Sequence, residues 1–237
     1  MKKLIYACLT GGILFLSTQV SAFQYVYNVD FTAPGFDHTT WNSVFGDDWN
    51  HAGDGSPFNG SSADVAAAHY GDLPYIDTTG IFLSAVFTPN TTADGSAGLF
   101  LGTSPHPGVP GEPGPNDFNR ITIGVEYWTN QDGGDEFSVY VDNNGTDIGD
   151  GWTLSNASLG MKMQLMVHVN EDDLLSWIVW NVNDPADPDM LGTNEEGIPV
   201  DTLTGLAGIF ADDGGADFYS FSVDGNAVPA PAAAVLL

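Results

Sequence analysis

The sequence predicts an all-β chain folded as an antiparallel β-sandwich. Three observations carry this. Apolar and polar residues alternate with period two over several short runs. Clusters of Gly, Asn, Asp and Pro separate those runs. No stretch shows a sustained helical period, so the crossover helices that a parallel α/β sheet needs are missing. No internal repeat is visible.

Residues 1–22 read as a leader. Lys2 and Lys3 precede the apolar run Leu4 to Leu16, and Val20-Ser21-Ala22 offers small residues at a cleavage position. This is the pattern of a secretory signal peptide. The apolar run is short for a membrane span, which needs roughly 20 residues. Cys8, the single cysteine, falls inside it and too near Met1 for a lipobox. The folded part therefore has no disulfide or cysteine metal site and rests on its packed core.

The β-sandwich is expected over residues 23–225. Phe23 to Phe31 alternates and forms the first strand. Thr32 to Thr79 holds Trp41, Trp49, Tyr70 and Tyr75 without periodicity, and Ala66-Ala67-Ala68 suits one helical turn. A region this long without clear elements is often functional. Strands follow at Gly80 to Thr88, Gly98 to Gly102, Arg120 to Trp128 and Phe137 to Val141, with a Pro/Gly loop over Ser104 to Asn116. Asp142 to Gly160 is rich in turn residues. The strongest signal is Met161 to Val169 and Leu174 to Val182, a hairpin about Asn170-Glu171-Asp172-Asp173. It is too apolar to stand alone and needs a second sheet over one face. An acidic, Pro-containing loop, Asn183 to Gly197, leads to strands at Leu206 to Ala211 and Phe218 to Val223.

This order resembles the concanavalin A-like lectin/glucanase superfamily, including laminin-G-like domains. The residues that carry the likeness are Asp30-Phe31 on the first strand, the closing Gly205-x-x-Gly208-Ile209 run, and Asp217-Phe218-x-x-Phe221-x-Val223. The resemblance implies a jelly roll of two curved sheets with the first and last strands adjacent. It also implies a structural calcium ion, and glycan binding on the concave face or loop rim. Residues 226–237 hold Val228-Pro229-Ala230-Pro231 and resemble the start of a PEP-CTERM sorting signal, with Ala230 where Glu is usual. That resemblance implies an exosortase-type processing enzyme as a partner and a place at the surface or in the extracellular matrix of a Gram-negative bacterium. The membrane helix and basic cluster of such a signal do not follow here, so membrane contact is expected only through a signal incomplete in this sequence.

The net charge is −27. Outside the leader, Arg120 and Lys162 are the only Lys or Arg residues. Nucleic acid and anionic lipid need clustered cations, so both are excluded as partners. The same balance argues against strongly anionic polysaccharides such as alginate or pectate, unless calcium bridges them. The acids, mostly Asp in turns, suit solubility in a salty medium, and a subset suits calcium.

Two calcium sets are candidates. Asp142, Asn144 and Asp147 place oxygens at alternate positions around Gly145, although Asn-Gly is also a preferred hairpin turn. Asp30 and Asp217 are the set that the resemblance implies. For neutral glycans, Trp41, Trp49, Tyr70, Trp128 and Trp180 are candidate stacking platforms, although capping the sandwich core is the commoner role of any one such tryptophan. Trp177 and Trp180 lie three apart on one strand and so face opposite sheet surfaces.

Catalysis has little support. The six Glu residues form no Glu-x-Asp-x-Glu run, the His residues lack metal spacing, and no Gly-x-Ser-x-Gly elbow occurs. The expected function is non-catalytic glycan binding or a matrix role. The alternatives are a glycoside hydrolase-like enzyme on a neutral polysaccharide and a purely structural envelope protein.

Overall fold

The computed structural model describes residues 23–45, 49–60, 66–90, 95–102, 120–130, 134–143, 146–212 and 215–228. The expected leader and nearly all of the expected sorting tail lie outside them.

Sixteen strands form among the described residues. The first six are β1 (Phe23–Asp30), β2 (Trp41–Phe45), β3 (Trp49–His51), β4 (Phe58–Gly60), β5 (Ala66–Tyr70) and β6 (Tyr75–Asp77). Next come β7 (Phe82–Pro89), β8 (Gly95–Gly102), β9 (Arg120–Asn130), β10 (Gly134–Asn143) and β11 (Thr146–Thr153). The last five are β12 (Met163–Val169), β13 (Leu174–Asn181), β14 (Asp189–Pro199), β15 (Thr204–Asp212) and β16 (Ala216–Val228).

All pairings are antiparallel, and they build two layers. Sheet A runs β14-β13-β12-β7-β16-β1. Short β4 and β6 also pair with β16, and β3 pairs with β4. Sheet B runs β11-β10-β9-β8-β15-β5-β2. The first and last strands pair from Phe23↔Ala227 to Asp30↔Ser220, as the resemblance implies.

Period-two alternation decides what each layer buries. On β12 Met163, Leu165, Val167 and Val169 point inward while Gln164, Met166 and His168 point out. On β9 Ile121, Ile123, Val125 and Tyr127 are buried between the sheets. With Leu99, Leu101, Val139, Val179, Ile209 and Phe221 they form one continuous core. Each such side chain contributes about 1.5–3 kcal/mol on burial. Sheet B is thus the cover that the β12–β13 hairpin requires. The hairpin turns on Asn170, whose Oδ1 accepts from Asp172 N and Leu174 N, while Asp173 takes the left-handed conformation.

The structure corrects several sequence expectations. Ala66–Ala68 is not a helical turn but part of β5, paired to β15. The loop over Asn183 to Gly197 contains most of the edge strand β14, and the turn-rich stretch after Asp142 contains β11. The long region from Thr32 forms five short strands and an aromatic plug. In that plug Phe31, Phe36, Trp41 and Phe58 meet at centroid separations of 5.1–5.8 Å.

Candidate functional site

Two outward faces are available, one per sheet. Their chemistry differs.

The outer face of sheet B is polar but buried. Four strands place Phe210, Gly98, Gly124 and Tyr140 in one row across it. A Cβ on Gly124 would lie 2.7 Å from the Tyr140 ring and 2.8 Å from the Phe210 ring, so both rings use the space over that glycine. With Phe100 they make a second, small apolar cluster. Around it Ser96, Arg120, Thr122, Ser138, Asp142 and Asp212 are all buried. Arg120 Nε lies 3.9 Å from Asp142 Oδ1, and the Tyr140 and Ser96 hydroxyls are 3.3 Å apart. Ser138 Oγ donates to Glu126 at 3.1 Å. Thr122 Oγ1, at 0% residue exposure, meets no hydrogen-bond partner among the described residues. Burial draws the Arg120 guanidinium below its ordinary value, with Asp142 opposing. Burial also pushes the Tyr140 hydroxyl well above the tyrosine range, against its bond to Ser96 and with help from Asp212, Glu126 and Asp142.

The outer face of sheet A is open. Gln164 on β12 stands between Trp180 on β13 and Val86 on β7. These three, with Lys162, Val182, Asn183, Pro185 and Pro188, line a groove of about 420 Å³. Gln164 Nε2 donates to Ser84 Oγ at 3.0 Å, which holds the carboxamide beside the indole. Lys162 Nζ sits 3.8 Å from the centroid of the Tyr219 ring. Farther along β12 a second groove, of about 250 Å³, is lined by Phe82, Met166, His168, Ser176, Ile178 and Glu195 among others. The arrangement of an indole with planar amides and no carboxylate in the larger groove suits binding of a hydroxyl-rich ring.

The predicted aromatic platforms separate into core and surface. Trp41 is a correction: at 6% exposure it packs edge-on to Phe31, Phe58 and Phe221 and belongs to the core. Trp49 is a second correction. It stacks on Phe58 at 4.9 Å with its Nε1 buried, so its face is already used. Trp128 is half exposed on the outer face of β9, opposite Glu136. Trp180 lines the larger groove. Tyr70 pairs with Trp41 in the β2–β5 ladder, and its side chain lies outside the described residues. Gln164 reads in the sequence as ordinary polar alternation, and Lys162 stands out there only as one of two cations, not as a site residue.

The calcium sets fare differently from the aromatics. Asp30 Oδ1 already accepts from Thr32 N at 2.8 Å and Thr32 Oγ1 at 2.7 Å. Asp217 Oδ1 accepts from Asn59 Nδ2 at 2.7 Å. Asp30 pairs with Ser220, which places the two acids roughly 10 Å apart along the ladder. Asp142 faces Arg120 and pairs with Asp147 in the β10–β11 ladder. Asn144 and the Asp147 side chain lie outside the described residues. Among the described residues no three His, Cys, Asp or Glu side chains gather as a metal-binding group.

Neither a protein-family model nor a curated protein matches the chain. Solved structures do. A protein of unknown function from Shewanella oneidensis MR-1 aligns at TM-score 0.53 and 11% identity, over 98% of this chain and 99% of that one. The exoplasmic/lumenal domain of VIP36, in a Ca2+- and mannose-bound form, aligns at TM-score 0.52 and 11% identity, over 86% of this chain and 97% of that one. The fold is the concanavalin A-like β-sandwich. GH43B of the Bacteroides ovatus xyloglucan PUL aligns at TM-score 0.50 and 13% identity over 83% of this chain but 38% of that one. At these identities the likeness is one of fold.

Proposed function

We propose that this protein binds a glycan without cleaving it, along the outer face of sheet A, with Trp180 as the stacking platform. The observation that carries the reading is the groove itself. It is open, it holds an indole beside Gln164 and Asn183, and its lining has no carboxylate. Glycoside hydrolysis takes two carboxylates flanking the bond. The mannose-bound state of the VIP36 domain supports a glycan ligand on this fold. The leader-like residues 1–22 support export, to the cell surface or an extracellular matrix, where polysaccharide is the available partner.

Affinity electrophoresis through gels cast with a panel of matrix polysaccharides tests this. Wild type is retarded, and Trp180→Ala loses most of the retardation while keeping its melting temperature. Equal retardation of the variant sinks the assignment. Release of reducing ends by the wild type would replace binding with hydrolysis.

A further inference from the structure

The larger groove on sheet A contains a charge that the rest of the molecule does not explain. Of the two Lys or Arg residues outside the leader, Arg120 is buried against Asp142 on the other sheet. Lys162 is therefore the one such cation on the described surface, in a chain of net charge −27, and it lines the groove beside Trp180.

Its surroundings do not consume that charge. Lys162 forms no ion pair with a described carboxylate. Its ammonium is held over the Tyr219 ring, which fixes its position without neutralising it. Asn183 adds to the same polarity. Its Oδ1 accepts from Lys162 N at 3.0 Å, which ties the oxygen toward the backbone and leaves both Nδ2 donors to offer the groove. Lys162 and Asn183 thus present donors side by side, next to an indole.

We infer that the groove recognises a carboxylate-bearing sugar, with the ring stacked on Trp180 and the carboxylate against Lys162 Nζ and Asn183 Nδ2. This rests on the glycan reading above and narrows it to an acidic sugar, in place of the neutral one that the sequence suggested. Asp184 and Asp187 on the neighbouring loop and Asp189 at the start of β14 are exposed, and Asp184 Oδ1 accepts from Ala186 N. Their charge limits the ligand to isolated carboxylates on an otherwise neutral chain, since a dense polyanion would meet them too.

The test uses glucuronoxylan, xanthan and gellan, each beside its carboxyl-reduced form, which turns the uronate into the matching neutral sugar. Affinities are measured in EDTA, so that no calcium bridge substitutes for Lys162. Reduction is expected to weaken wild-type binding about five- to tenfold. Lys162→Gln loses the same factor on the native polymer and nothing on the reduced one. Raising the salt weakens only the native complex. Equal affinity for native and reduced polymers, or an equal loss for both in Lys162→Gln, overturns the inference. If Trp180→Ala also abolishes that equal binding, the glycan reading survives alone. Binding to neither form by any of the three overturns both.

Discussion

Trp177 and Trp180 stand three residues apart on β13 and face opposite sides of sheet A. Trp177, at 3% exposure, meets Trp152 edge-on at 5.7 Å inside the core, whereas Trp180 lines the open groove. Truncating each should therefore separate stability from binding. Trp177→Ala is expected to cost about 3–5 kcal/mol in urea unfolding, as for large core aromatics. Trp180→Ala should cost under about 1 kcal/mol and remove polysaccharide binding instead. A large stability loss from Trp180→Ala would place it structurally in the core.

Arg120 and Asp142 make a buried pair on the outer face of sheet B. Replacing one partner removes the opposite charge that the other faces in a buried setting. Arg120→Met is expected to cost about 3–5 kcal/mol. The double variant Arg120→Met/Asp142→Leu should recover most of that loss, because no uncompensated charge remains. Additive losses in the double-mutant cycle would show that the two side chains do not act together.

Tyr140 links this face to pH. Its folded-state hydroxyl holds its proton well above the ordinary range because it is buried. Below about pH 10 both folded and unfolded chains carry that proton, and its stabilising effect is fully present. As the pH rises from there toward the folded value, the unfolded chain releases a proton that the folded chain keeps, and stability falls. Tyr140→Phe should flatten this alkaline loss in urea titrations above about pH 10. It should also cost about 0.5–1.5 kcal/mol near neutrality through the lost contact with Ser96. Parallel pH profiles for the two proteins would remove Tyr140 from the account.

Gly98 and Gly124 face each other across β8 and β9. Their substitutions should differ in cost. A Cβ on Gly98 would sit 2.1 Å from Ile123 O, which is backbone and cannot turn away. A Cβ on Gly124 meets the Tyr140 and Phe210 rings, which can tilt. Gly124→Ala is expected to cost about 1–3 kcal/mol, and Gly98→Ala more. The reverse order, read from urea midpoints, would contradict the strand spacing described.

The parts that the sequence revealed were those where one physical signal dominates. β12 and β13 each bury alternate side chains, and β9 alternates apolar residues with polar ones or glycine, so period two shows them directly. β3, β4 and β6 have three residues each, too short for a period, and are specified by what pairs with them. β14 reads as a loop because its edge position tolerates Asn194, Glu195, Glu196 and Gly197. The same limit applied to the site. Trp41, Trp49, Trp128 and Trp180 are alike as residue types, and only tertiary packing separates the two in the plug from the two at the surface. Thr122 and Asp142 alternate as solvent-facing residues do, yet both are buried.

β16 is flanked by β1 and β4 on one side and by β7 and β6 on the other, and it is the last strand described. During synthesis all four neighbours emerge before their shared partner exists. Phe23 waits for Ala227 before its ladder can close. Sheet A is therefore completed only once β16 has been made, with open strand edges until then. Such a sheet folds slowly, because its contacts join distant parts of the sequence. The interval before β16 arrives is when this chain is most exposed to pairing with other chains, and the scarcity of positive charge against 31 acids gives mutual repulsion throughout that interval.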